Sequence, residues 1–154
     1  MRETPAKPSK KKIEMVNLCV HQSSDEMVLR EMAPAYMIER IQEGLPIYEL
    51  DALQESLAVP MDVLAGKLGI SKATLQRRKI EGRLDAVESE RVLRFARLMG
   101  KAVNVFGSEN NAREWLNTAQ FGLGGAVPLD YAETEIGARE VENLLGRIEY
   151  GVYS

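Results

Sequence analysis

The sequence predicts an all-α fold, a helix-turn-helix domain followed by a smaller helical domain. Three observations lead there. Apolar residues recur every three or four positions through residues 47–57, 86–105 and 135–149, the spacing of one helix face. The two-residue alternation of a half-buried strand is almost absent. Residues 61–79, MDVLAGKLGISKATLQRRK, read as two short helices around a tight turn.

The elements follow in chain order. Residues 1–12 are rich in Pro, Lys and Ser, including Lys10, Lys11 and Lys12, and are expected to form a disordered tail. Such a lysine run either adds sequence-independent attraction to phosphate or only solubilises. Residues 13–20 are too irregular to assign. Ser23 or Ser24 is placed to cap a helix reaching about residue 32, with Asp25 and Glu26 favourable at its start. Residues 35–42 read as helical, with Met37, Ile38 and Ile41 on one side and Gly44 as the stop. Leu50, Leu53 and Leu57 mark the next helix. Pro60 opens the helix-turn-helix, where proline is tolerated.

In that unit Val63, Leu64 and Leu68 have helical spacing, and Ala65 is small where a second helix must cross closely. Gly69 supplies left-handed backbone, and Ser71 is a natural N-cap. The second helix carries Lys72, Thr74, Gln76, Arg77, Arg78 and Lys79 outward, with Ala73 and Leu75 as inward anchors. Arg78 sits where a late apolar anchor is usual, so Ile80 is expected to take over that packing. Gly82 ends the unit. Val92, Leu93, Ala96, Met99, Val103 and Phe106 then recur along the longest helix.

The second part begins near Phe106 and Gly107. Ser108 caps a helix containing Ala112, Trp115 and Leu116. The loop at residues 120–128 holds three glycines, Gly122, Gly124 and Gly125. A phosphate-binding loop needs a preceding strand and a following Lys-Ser/Thr, and neither is there. The loop is instead expected to turn the chain tightly between packed helices. Pro128 and Asp130 start a short helical turn. The last helix covers residues 135–149, with Ile136, Val141, Leu144, Leu145 and Ile148 inward and Gly151 as its stop.

Charge is unevenly spread. The whole chain carries −3, yet residues 67–101 hold ten basic against four acidic residues, or +6. After Val105, three basic residues face eight acidic ones, or −5. A basic middle and an acidic end suggest different partners for two faces, the plainer alternative being ordinary variation between helix surfaces. Cys19 is the single cysteine and His21 the single histidine. No disulfide within the chain and no metal site of ordinary ligand count can be built from them. As a catalytic pair they lack an orienting third group, and no cofactor motif is present. No apolar stretch is long enough to span a membrane and no signal peptide is visible, so a cytoplasmic protein is expected.

The basic second helix of the 61–79 unit is sized for a DNA major groove. Ser71, Lys72, Thr74, Gln76, Arg77, Arg78 and Lys79 are the candidate DNA-binding residues, supplying phosphate contacts and base-edge donors. The plain alternative is a helical hairpin with a solvated charged face. Such domains act as dimers on paired half-sites, so a homodimer is expected, with the helix at residues 86–105 and the C-terminal domain as the candidate interface.

From Leu45 onward the chain resembles the Xre/MbcA/ParS family of antitoxins, partners of RES-domain toxins. The marks are Leu64 and Ala65, Leu75 to Arg78, Val105-Phe106-Gly107, Ala112, Trp115-Leu116, Pro128-Leu129, Gly137, Val141 and the closing Ile148-Glu149-Tyr150-Gly151. The chain is expected to divide into the disordered tail at residues 1–12, N-terminal helices with the helix-turn-helix DNA-binding domain at residues 13–104, and, as the resemblance implies, a C-terminal toxin-binding domain at residues 105–154. The resemblance implies operator DNA and a NAD-consuming RES-domain toxin as partners, repression of the shared operon, and no enzyme activity in this chain. It places toxin contacts on the last helix and tail, namely Glu142, Leu145, Arg147, Glu149, Tyr150, Val152, Tyr153 and Ser154. Two tyrosines in the last five residues suit an interface as well, although a frayed terminus is the plain alternative. The rival readings are a free-standing regulator whose C-terminal domain only dimerises, and an interaction module that has lost DNA binding.

Overall fold

The computed structural model describes residues 15–21 and 33–151. Among these, every regular element is helical, and the only β-type pairings are isolated bridges at Pro46–Arg83 and Gln120–Ala126. The order is α1 (Met15–Val20), α2 (Pro34–Glu43), α3 (Tyr48–Leu57), α4 (Met61–Lys67), α5 (Lys72–Glu81), α6 (Ala86–Phe106), α7 (Glu109–Leu116), a 3₁₀ turn (Phe121–Leu123), α8 (Pro128–Tyr131) and α9 (Glu135–Glu149). The expected tail at residues 1–12 and the helix expected after Ser23 lie outside the described residues.

α6 is the spine. Val92, Leu93, Phe95, Ala96, Leu98, Met99, Gly100 and Ala102 are all buried. They occupy roughly two thirds of the helix circumference, far more than a surface helix needs. α1, α2, α3, α7 and α9 all pack on it. One continuous core therefore runs from Met15 to Leu145. A capping box starts the spine: Asp85 accepts from the Glu88 amide at 2.7 Å and Glu88 accepts from the Asp85 amide at 3.0 Å. Gly107, at φ 85°, ends it.

The irregular stretch at residues 13–20 resolves into a helix because a side chain from elsewhere holds it. Glu49 of α3 is 1% exposed, and its carboxylate accepts the amides of Met15 at 2.9 Å and Val16 at 3.0 Å. An anion at amide groups that no turn of the helix pairs is favourable. Met15, Val16, Cys19 and Val20 then pack inward.

Gly137 shows why one small residue is needed. A Cβ there would lie 1.7 Å from the Tyr131 carbonyl oxygen, so the start of α9 could not approach the end of α8. The glycine loop also closes tightly: Gln120 donates its amide to Ala126 at 3.0 Å, and Gly125 donates back to Gln120 at 2.9 Å.

Several inward assignments need correction. Val63, Ile38 and Ile136 are 43%, 52% and 79% exposed, although spacing predicts each on an apolar face. Each adjoins a buried position, Met37, Leu64 or Gly137, and the helix step of about 100° per residue turns it off the core side. The apolar face of α6 is spent inside the chain, so of that helix only Val87, at 54%, remains as a large exposed apolar side chain.

Glu49→Ala leaves two buried amides without their acceptor, and is expected to cost about 1–3 kcal/mol in denaturant unfolding. An unchanged midpoint would contradict the role given to this carboxylate.

Candidate functional site

The helix-turn-helix is built from α4, a turn and α5. Ile70 donates its amide to Ala65 at 2.8 Å, closing the turn, and Gly69 has φ 73°. Arg91 of the spine donates to the Leu68 carbonyl at 2.9 Å, pinning the turn from outside. Ser71 caps α5 by accepting the Thr74 amide at 3.1 Å.

α5 buries one residue, Leu75. Ser71, Lys72, Gln76, Arg77 and Lys79 are exposed, and Thr74 is half-buried. Ala73, expected as an anchor, is exposed too. Ile80 is 87% exposed and does not take over the late anchor position. Arg78 fills it instead. Its Nε donates to Glu88 at 2.7 Å and its Nη2 to Glu88 at 3.0 Å and Asp85 at 3.1 Å; Nη1 donates to Glu81 at 3.1 Å. The paired carboxylate of Glu88, with some help from Glu81 and Asp85, raises the Arg78 pKa against the lowering effect of burial. The guanidinium thus fastens the end of α5 to the capping box that starts α6.

Half of the ten cations of the middle segment are engaged by such contacts within the chain. Lys67 pairs with Asp130 and, at 3.5 Å, with Glu133. Arg83 donates to the Gly44 carbonyl, and Arg94 to the Glu133 carbonyl at 3.3 Å. Lys72 and Lys79 have no ion-pair partner among the described residues, and Arg77 has only an exposed contact at 3.9 Å to Glu81. These three cations, with Ser71, Thr74 and Gln76, form the face that can meet a polyanion.

The C-terminal candidates separate as well. Leu145 is fully buried in the core, so its part is to hold α9 in place. Glu142 and Arg147 are half-buried, while Glu149 and Tyr150 are exposed, Tyr150 at 79%. Glu142, Arg147 and Tyr150 share a shallow groove with Lys101, Asn143 and Gly146. Sequence reasoning misses Lys101, at the far end of α6, because nothing in its local pattern points to α9. The Arg147 Nε is buried without a hydrogen-bond partner among the described residues. Val152, Tyr153 and Ser154 lie outside the described residues.

Cys19 and His21 do not form a working pair. Cys19 is buried, and burial raises its pKa from 9.0 to about 11, with Arg97 lowering it and Glu49 raising it. Its thiol is therefore almost wholly protonated near neutrality and a poor nucleophile. His21 instead lies 3.3 Å from Glu109. No described helix is long and apolar enough to cross a membrane.

Comparison with known proteins matches both regions. Residues 37–97 fit an antitoxin Xre-like helix-turn-helix domain, and residues 101–151 fit the antitoxin Xre/MbcA/ParS C-terminal toxin-binding domain. The junction between the two falls inside α6. An Antitoxin Xre from Yersinia enterocolitica is 37% identical over 120 residues, 77% of this chain and 81% of that protein. Another, from Photorhabdus laumondii, is 36% identical over 116 residues, 74% of this chain and 78% of that one. A protein from a Sphingobium species, named a Prs ADP-ribosylating antitoxin, is 26% identical over 136 residues, 82% of this chain and 86% of its own.

Arg77 and Arg78 are adjacent but differently placed, and thermal melting should separate them. Arg77→Ala is a surface change, expected within about 0.5 kcal/mol of the parent. Arg78→Ala strands the buried Glu88 carboxylate and is expected to lower Tm clearly further. Equal midpoints would remove Arg78 from its structural role.

Proposed function

The chain belongs to the Xre/MbcA/ParS family of antitoxins, and from that premise we propose that it neutralises a NAD-consuming RES-domain toxin and represses its own operon. The observation that carries the reading is the placement of two different faces on one helix. Near the start of α6 stands a capped, exposed helix with Lys72, Gln76, Arg77 and Lys79 directed to solvent. The acidic α9 runs alongside α6 from Glu90 toward Lys101, and its last turn presents Glu149 and Tyr150.

The DNA reading rests on general chemistry. Lys72 and Lys79 supply phosphate contacts, while Gln76 and Arg77 have the donors that read base edges in a major groove. Arg78 acts indirectly, by holding α5 at its angle to α6. One helix-turn-helix covers little DNA, so the repressor works as a homodimer on half-sites about one helical turn apart. The exposed Phe121, Tyr131 and Ile136 of the C-terminal domain supply apolar surface for that contact.

The toxin reading rests on charge and on the end of α9. A cleft that holds a phosphate-bearing dinucleotide is expected to be basic, and an acidic helix complements it. Glu142, Arg147, Glu149 and Tyr150 are the described contact residues, with Val152, Tyr153 and Ser154 continuing them. The Sphingobium relative's name refers to ADP-ribosylation, a chemistry that draws on NAD. The chemistry belongs to that partner; this chain acts in the cytoplasm as its inhibitor and not as an enzyme. The alternative, a free-standing regulator with a C-terminal dimerisation domain, needs no toxin at all.

Deleting residues 150–154 tests the inhibitory contact. Co-expressed with the neighbouring RES-type toxin, the truncated chain is expected to lose neutralisation, read as NAD depletion and arrested growth. It should keep the parent's affinity for operator DNA. Full neutralisation by the truncated chain would move the contact back onto Glu135–Glu149, and no effect of either chain on any such toxin would favour the free-standing regulator.

A further inference from the structure

The outer face of α5 is not only basic. At 3.6 residues per turn, Ala73, Gln76, Arg77 and Ile80 fall within about 100° of arc, on the side opposite buried Leu75. All four are exposed, and Ile80 is 87% exposed. Lys72 and Lys79 flank the stripe along one edge. Helix periodicity puts Ile80 on this face, about 140° from Leu75, while Arg78 takes the late inward position and donates to Glu88, Asp85 and Glu81. The result is a polar, cationic helix with an apolar side chain near each end of its outermost line.

One ligand matches that pattern. In a major groove the thymine C5-methyl is the apolar feature, adenine offers N7 and N6–H₂, and guanine offers N7 and O6. Ala73 to Ile80 spans about 10 Å along the helix, or about three base-pair steps. We propose that this stripe reads an operator half-site containing A·T pairs, with Ile80 and Ala73 packed against thymine methyls. Gln76 donates to adenine N7 and accepts from N6, and Arg77 donates to guanine N7 and O6. Lys72 and Lys79 hold the flanking phosphates. Specificity is thereby divided between two apolar contacts and two side chains with bidentate geometry. The assignment rests on the operator-binding reading given above.

The test uses the full chain and a pool of random-sequence duplexes at one fixed salt concentration. The selected site is remade with deoxyuridine for thymidine, one position at a time. Removing a contacted methyl is expected to weaken binding about three- to fivefold. Ile80→Ala, an exposed change that should leave Tm unaltered, is expected to abolish that sensitivity at one thymine and leave it at another. Gln76→Ala is expected to relax the preference for adenine at a neighbouring position. A selected site without A·T pairs, or a deoxyuridine effect that Ile80→Ala leaves intact at every thymine, would overturn the assignment while leaving DNA binding standing. Failure to enrich any duplex would overturn the operator-binding reading, and this inference with it.

Discussion

The burial of α6 around most of its circumference is the constraint on which the molecule depends. A helix with so little solvent face cannot stand alone, so every neighbouring element is placed by the need to cover it. α1, α2, α3, α7 and α9 all pack against it. The start of α6 is fixed by the Asp85–Glu88 capping box, and the same Glu88 receives Arg78 from α5. The angle of the candidate recognition helix is therefore tied to the spine by a buried carboxylate. α9 runs alongside the spine, and its last turn forms a groove lined by Lys101, Glu142, Arg147 and Tyr150. The basic face of α5 and the groove beside α9 thus share one rigid element and one core.

A basic stretch of sequence is not the same thing as a basic surface. Ten cations crowd residues 67–101, but Arg78, Arg83, Arg91 and Arg94 donate to carboxylates or carbonyls of the chain itself, and Lys67 is paired across to the C-terminal part. What remains for a partner on α5 is a small, well-placed set. Lys67 has a second consequence, because its partners Asp130 and Glu133 belong to the stretch around α8. The helix-turn-helix is thereby bound to the C-terminal domain by charge as well as by the shared core.

The all-α class, the turn at Gly69, the Ser71 and Ser108 caps and the reach of α9 are legible in the sequence, because each rests on local rules of spacing and capping. The family resemblance is legible for a related reason. Among its glycines, Gly137 marks a close approach to the Tyr131 backbone, while Gly107 and Gly151 mark left-handed helix ends. What the sequence hides is decided by contacts between distant residues. The α1 helix depends on Glu49, more than thirty positions away. The exchange of roles between Arg78 and Ile80 depends on Glu88, which lies beyond the helix that carries them. Ile136 precedes Gly137, the residue that faces α8, and so turns outward, and Ala73 is small enough to be read either way. In the candidate site, local spacing identifies the exposed residues of α5 as a face, but not Arg78 as the anchor within it.

The central claim is that DNA contact and toxin neutralisation sit on separate faces of one chain. The most direct measurement is a paired assay of one variant, Lys72→Ala with Arg77→Ala and Lys79→Ala, in the full chain. Operator affinity and its salt dependence are measured beside inhibition of NAD consumption by the co-purified toxin. The account predicts that operator binding falls steeply and its salt slope flattens by about one for each phosphate no longer neutralised, while inhibition stays at the parent level. Unchanged operator binding, or loss of inhibition in step with loss of DNA binding in a chain that melts normally, would contradict it.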